Sequence, residues 1–331
     1  MPSSSINMFR AAFVGGLMAQ VAQAYTQVNI MSPIFYKNID PIVFPGSYTE
    51  SHMHTFFGSD GVTASTTTSA ELQSGCTNAQ NPNDLSVYWV PTLLYTTDSG
   101  SSWEPVPLFR FSAYYSLGDT PAEVPIPQNL MMLAGEATNQ SPTGMPEKAK
   151  IEWFCEGDSV AADENGFPSS TCSTHLQTLL FFPNCVNEET LEYAYKDGSL
   201  GTSNACPENM KSMPQLRFSI RYDLRKALPN GWSGTAPLKL ACGNAYCSHG
   251  DFINGWTEES ALNMVDATQS KYEFSAVNGA LGNSGEQPSC QPADSEPDKG
   301  TSDYAESVAL MSKRSVNSVG WASSNRLARR A

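Results

Sequence analysis

Basic residues are scarce in this chain, with 19 Lys and Arg against 33 Asp and Glu in 331 residues. Arg10 is the only charge before residue 25 and five bases lie beyond residue 312, so the stretch between holds 13 bases against all 33 acids. An acidic field of that size repels phosphate backbones and excludes nucleic acid as an expected partner. Long apolar runs are missing as well. The stretch from Ala11 to Val21 is broken by Gly15, Gly16 and Gln20, too short for the ~20 apolar residues of a membrane helix, and no apolar C-terminal run signals a lipid anchor. Paired C-x-x-C spacing does not occur, which argues against a cysteine zinc site. Helical periodicity is thin, and histidine is limited to four residues.

The start of the chain reads as a secretory leader over residues 1–24, with Arg10, the short apolar stretch and the small-x-small site Ala22-Gln23-Ala24. A mature chain beginning near Tyr25, secreted and extracellular, is the expectation. In an oxidising compartment the eight cysteines read as four disulfides. Cys242 with Cys247 and Cys155 with Cys172 can close small loops, while the full pairing stays open among the roughly 105 arrangements eight cysteines allow.

Short β-prone runs are punctuated by Pro, Gly, Asn and Ser. They are Val28–Met31, Ile42–Phe44, Val87–Val90, Leu93–Tyr95, Leu108–Tyr115, Lys150–Cys155, Leu176–Phe182, Leu216–Ile220 and Leu238–Leu240. Helices are expected only over Glu188–Lys196 and Glu258–Thr268. The fold class is mainly β: a single antiparallel β-sandwich or jelly-roll-like domain over residues 25–290, with long disulfide-braced loops and few short helices. Residues 291–331 read as a disordered tail, with a brief helical pattern at Tyr304–Met311 and dibasic pairs at Lys313-Arg314 and Arg329-Arg330. Asn139-Gln140-Ser141 is a glycosylation sequon weakened by Pro142.

Three constellations carry chemistry. In Ser51-His52-Met53-His54, strand geometry would put both imidazoles on one face, able to share a metal or flank a substrate. The Cys242–Trp256 stretch, a glycine-rich and cysteine-braced loop, presents His249 and Asp251, with the carboxylate placed to orient an imidazole. Asn83–Pro91 offers Asp84, Tyr88 and Trp89, an acid and aromatic faces for a sugar ring, although such aromatics are more often core.

Asp40-Pro41-Ile42-Val43-Phe44-Pro45-Gly46, the His52-x-His54 segment, Asp84–Pro91 and His249-Gly250-Asp251-Phe252-Ile253-Asn254-Gly255-Trp256 together resemble the fungal secreted family catalogued as domain of unknown function 1996. The resemblance implies one secreted domain with recurrent histidines at His52, His54 and His249, and no settled activity. Family members also show a D-H-K-S-H-like stretch after an F-P-x-C-W segment; here Phe182-Pro183-Asn184-Cys185 leads into Val186–Tyr193 without a histidine, and His175 lies too far upstream to replace one.

The reading that follows is a secreted protein acting on extracellular or cell-wall polysaccharide by lyase- or hydrolase-like cleavage. His54 or His249 would be base and Tyr88 acid, with Asp84 and Asp251 orienting. Within that class, His52, His54 and His249 would hold a divalent metal with one position left for water. The other class is a non-catalytic glycan-binding or cell-wall module. The expected partner is a glycan, the expected state a monomer.

Overall fold

The computed structural model describes residues 25–116, 122–197, 206–267, 277–286 and 288–315. The proposed leader and the Arg329-Arg330 pair lie outside the described residues. Two five-stranded antiparallel sheets form the body. The first orders its strands as Tyr25–Met31, Leu108–Ser116, Gln215–Tyr222, Leu176–Phe181 and Glu152–Cys155. The second runs Phe35–Lys37, His54–Gly58, Val87–Pro91, His249–Ile253 and Met131–Gly135.

Side-chain alternation decides how these sheets meet. Phe111, Ala113, Tyr115 and Phe218 of the first sheet face Phe57, Tyr88, Phe252 and Met132 of the second in one core, with the Phe57 and Phe111 rings stacked at 4.0 Å. The first sheet keeps cationic and polar side chains on its other face, where Arg217 lies over Tyr114. The second sheet is buried on both faces. Its far side carries Phe56, Val87, Trp89 and Ile253, which pack against Ile39, Val62, Ala64 and Leu72 of the intervening chain. A sandwich layer therefore sits beneath an irregular cover built from residues 38–53 and 59–75, which includes the Ser69–Gln73 helix with its Thr68/Glu71 capping box.

Several local expectations change. Ile42–Phe44 is a turn, because the Asp40 carboxylate accepts the N–H groups of Ile42 and Val43 at 3.0 and 2.9 Å and draws the chain out of any ladder. Glu188–Lys196 is a hairpin arm: Asn187 Oδ1 accepts from Glu189 and Thr190, Leu191 turns through φ 58°, and Tyr193–Ala194 pairs with Cys185–Val186. The Glu258–Ala267 helix forms as expected. Most consequentially, His249–Ile253 is a central strand rather than a loop.

The disulfides are Cys76–Cys290, Cys155–Cys172, Cys185–Cys206 and Cys242–Cys247. Of the disordered tail expected over residues 291–331, residues 291–315 are instead folded onto the body, and residues 316–331 lie outside the described residues. The Cys76–Cys290 bridge starts this segment, and Lys37 Nζ donates to Asp294 and to the Glu296 carbonyl. Asn38 Oδ1 accepts from Thr301 N–H, and the Tyr304–Ser315 helix follows. Tyr304 packs with Tyr36 and Trp103 against Met53, Leu94 and Ala241.

Candidate metal centre

Two rows of the second sheet generate the site. Phe56, Trp89 and Asp251 are register partners across adjacent strands, so they share a face. His54 and His249 lie two residues before Phe56 and Asp251 and therefore share that face too. Pro91 is the register partner of His54, and continuing the Trp89–Asp251 register brings the same proline beside His249. The imidazoles of His54 and His249 reach toward one another across it. Their Nε2 atoms are 3.3 Å apart.

His52 precedes the His54–Gly58 strand and curls back over it, its ring 4.2 Å from that of His54 and 5.1 Å from that of His249. One ligand nitrogen from each of the three rings lies within 4.8 Å of the others, and they form the candidate ion-binding group found among the described residues. His54 and His249 are buried, whereas His52 is only partly so.

The far nitrogens fix the chemistry of the near ones. His54 donates its Nδ1–H to the Ile39 carbonyl at 2.9 Å, and His249 donates its Nδ1–H to the Cys247 carbonyl at 2.8 Å. Burial lowers the pKa of all three rings, His249 to about 4. Neighbouring imidazoles push His52 and His54 the same way, while the Cys247 carbonyl partly opposes the shift at His249. Both rings are thus neutral near pH 7 with their protons on Nδ1, leaving two Nε2 lone pairs aimed at each other. His52 Nε2 is buried with no hydrogen-bond partner.

Asp251 lies beside this group without belonging to it as the rings stand. Its carboxylate is fully buried, with Oδ2 3.9 Å from His249 Nε2, and neither oxygen has a hydrogen-bond partner. Burial, reinforced by nearby Asp40, drives its pKa well above the carboxylate range. Asp40 is raised to about 6 by its own burial, against the two backbone N–H groups it accepts. Asp251 was expected to orient an imidazole by accepting its N–H. Instead the His249 Nδ1 proton goes to Cys247, and 3.9 Å exceeds hydrogen-bond reach.

Asp84 and Tyr88 do not join the histidines. Tyr88 neighbours Trp89 in its strand and therefore faces the opposite side, into the inter-sheet core. Asp84 bridges to Trp256, beyond the far end of the His249–Ile253 strand. There Tyr88 Oη donates to Asp84 Oδ2 at 2.5 Å and pairs with Tyr115 Oη at 2.7 Å, while Asn29 Nδ2 donates to the same carboxylate at 2.5 Å. Both groups are buried, and this network braces the core. Trp89 is sealed against Phe56, ring centroids 5.5 Å apart, and offers no sugar platform. His175 stacks on Phe109 at 4.0 Å beside Glu156, at one end of the strands of the first sheet.

Two neighbours of the site were not singled out as functional in the sequence. Asp40 carried a visible signal, an acid opening the Asp40–Gly46 stretch. Tyr193 carried none. It occupies the segment lacking the family's histidine stretch, accepts the Leu133 N–H at 3.2 Å, and Leu133 is the register partner of Asp251.

A family model matches residues 40–256, and its description is Domain of unknown function (DUF1996). The matched span contains every member of the cluster. No curated protein and no solved structure matches this chain.

Proposed function

The chain belongs to this family, which brings no reaction with it, and we propose from the site itself that it is an extracellular metalloprotein in which His52, His54 and His249 hold one first-row transition-metal ion. The observation that carries the reading is the pair of Nε2 lone pairs facing each other at 3.3 Å in a buried setting. Two acceptors that close repel unless a cation lies between them, and burial works against supplying that cation as a proton. A metal ion serves both lone pairs at once. Ligands about 2.0–2.2 Å from one ion in a tetrahedron lie about 3.3–3.6 Å apart, which the observed spacing fits. Imidazole nitrogens suit zinc, copper, iron and nickel.

The extracellular assignment is supported by the four disulfides. No helix among the described residues is long and apolar enough to cross a membrane. Polysaccharide cleavage, the role expected from the sequence, draws no support from the site. His54 and His249 are buried, and acid–base groups for a polymer must line a groove that admits it. Burial favours an ion that ties strands together over one that turns over a glycan.

The test is metal content. Protein stripped with a chelator and dialysed against Zn²⁺ is expected to retain one ion per chain, and the His54→Ala/His249→Ala double variant none. Wild-type protein that emerges without stoichiometric zinc would remove the proposal.

A further inference from the structure

We propose that Asp251 is the fourth protein ligand of this ion, completing a three-imidazole, one-carboxylate site that makes the metal a structural cross-link; the inference rests on the tris-histidine reading above. Asp251 shares the sheet face of His54 and His249 through its register with Trp89. Its side chain has no exposure, and both oxygens lack any partner. Polar atoms buried without partners are rare in native proteins because each forfeits its hydration, and here two belong to one carboxylate.

Position distinguishes ligation from the other roles open to such an acid. As a hydrogen-bond acceptor for His249 it is too distant, at 3.9 Å from Nε2, and the ring's proton is committed to the Cys247 carbonyl. As a ligand it closes on the ion from 3.9 Å off His249 Nε2, somewhat wider than the tetrahedral edge of about 3.3–3.6 Å, and from outside the three-imidazole group as the rings stand. The orphaned Nε2 of His52 is free to supply the third imidazole donor. Four protein donors around one small cation form a closed site, the arrangement of structural rather than catalytic zinc. A neutral N₃ set plus one carboxylate also leaves a divalent ion with a single net positive charge, less costly to bury than two.

The chain separation gives the cross-link its mechanical meaning. His54 and His249 are 195 residues apart, so an ion between them ties the early His54–Gly58 strand to the late His249–Ile253 strand, as a disulfide ties distant stretches.

Asp251→Asn is the direct variant, because it keeps shape and removes the ionisable oxygen. Zn²⁺ affinity is measured by chelator competition and the coordination sphere by the visible spectrum of the Co²⁺-loaded protein. Wild type is expected to bind one ion and give intense four-coordinate Co²⁺ bands. Asp251→Asn is expected to bind Zn²⁺ about 100-fold or more weakly, with weaker, shifted Co²⁺ bands, while its metal-free form melts no lower than metal-free wild type. Asp251→Glu, which retains a carboxylate displaced by one methylene, is expected to fall between them in affinity. If Asp251→Asn keeps wild-type affinity and the wild-type Co²⁺ spectrum, Asp251 is not a ligand although the histidine site stands. If wild type takes up neither Zn²⁺ nor Co²⁺, both readings fall together.

Discussion

At the scale of single residues, the carboxylates divide by what surrounds them. Neither oxygen of Asp251 accepts a hydrogen bond, whereas Asp84 accepts from Tyr88, Asn29 and Ser86 and is still raised to about 6 by burial. An acid whose pKa in the folded protein exceeds its unfolded value binds its proton more tightly when folded. Its contribution to stability is therefore full below about pH 4 and declines as pH rises through about 6. From those two pKa values the decline amounts to about 3 kcal/mol. Urea midpoints of wild type and Asp84→Asn, compared at pH 4 and pH 7, are expected to show wild type losing ground relative to the variant at the higher pH; parallel curves would contradict that. Tyr88→Phe removes one donor from the same carboxylate and is expected to destabilise the protein by about 1–3 kcal/mol. It should leave metal content untouched, since Tyr88 faces away from the histidines, and a loss of metal on this change would put Tyr88 back in the site.

At the scale of elements, the site depends on a strand that does not announce itself. His249–Ile253 opens with His-Gly-Asp, a composition that reads as a loop because two of its residues disfavour strands. Tertiary pairing on both sides overrides that preference: the Val87–Pro91 strand lies along one edge and Met131–Gly135 along the other. Gly250 is required for contact, since a Cβ there would lie 2.8 Å from the Phe218 ring. Gly135, the register partner of His249, has φ 98°, and a Cβ on it would stand 2.6 Å from the His249 Cα. Gly135→Ala is accordingly expected to displace the start of the histidine strand and weaken Zn²⁺ binding by an order of magnitude or more, read by the same chelator competition; unchanged affinity would show that the strand end tolerates the shift. The nearness of His52 to His54 was expected from one strand holding both, whereas only His54 lies in the strand and His52 folds back from the turn before it; the chain segments of most strands were legible, because apolar clustering reports burial directly. The meeting of residues 54 and 249 was not, because no local pattern encodes which distant strands become neighbours. The grouping of Asp84 and Tyr88 with the histidines failed for a related reason: a one-residue step along a strand reverses the face, and only the register shows that Trp89, not Tyr88, is on the side of Asp251.

At the scale of the whole molecule, long-range ties dominate. The Cys76–Cys290 bridge spans 214 residues and Cys242–Cys247 only 5. In the chain-entropy model these correspond to about 5 and about 2 kcal/mol. Removing the long bridge with Cys76→Ser/Cys290→Ser is expected to lower the melting temperature more than Cys242→Ser/Cys247→Ser. The reverse order would show that the small loop supports the fold chiefly through His249, whose Nδ1–H it receives at the Cys247 carbonyl. The segment after Cys290 strengthens the same design. It clamps Lys37 and Asn38, just ahead of Ile39, whose carbonyl holds His54. Composition alone read that segment as disordered because it is polar. What orders it is a covalent anchor and a nearly buried lysine that takes Asp294 as its counter-ion, neither of which local composition encodes.

A crystal of the wild-type protein soaked in Zn²⁺ and measured at the zinc absorption edge tests the central claim most directly. The account predicts one strong anomalous peak per chain, about 2.0–2.2 Å from a nitrogen of each of His52, His54 and His249 and from an oxygen of Asp251. An empty anomalous map at that position, with the three rings in place and their inner nitrogens bonded to water or protein instead, would contradict it.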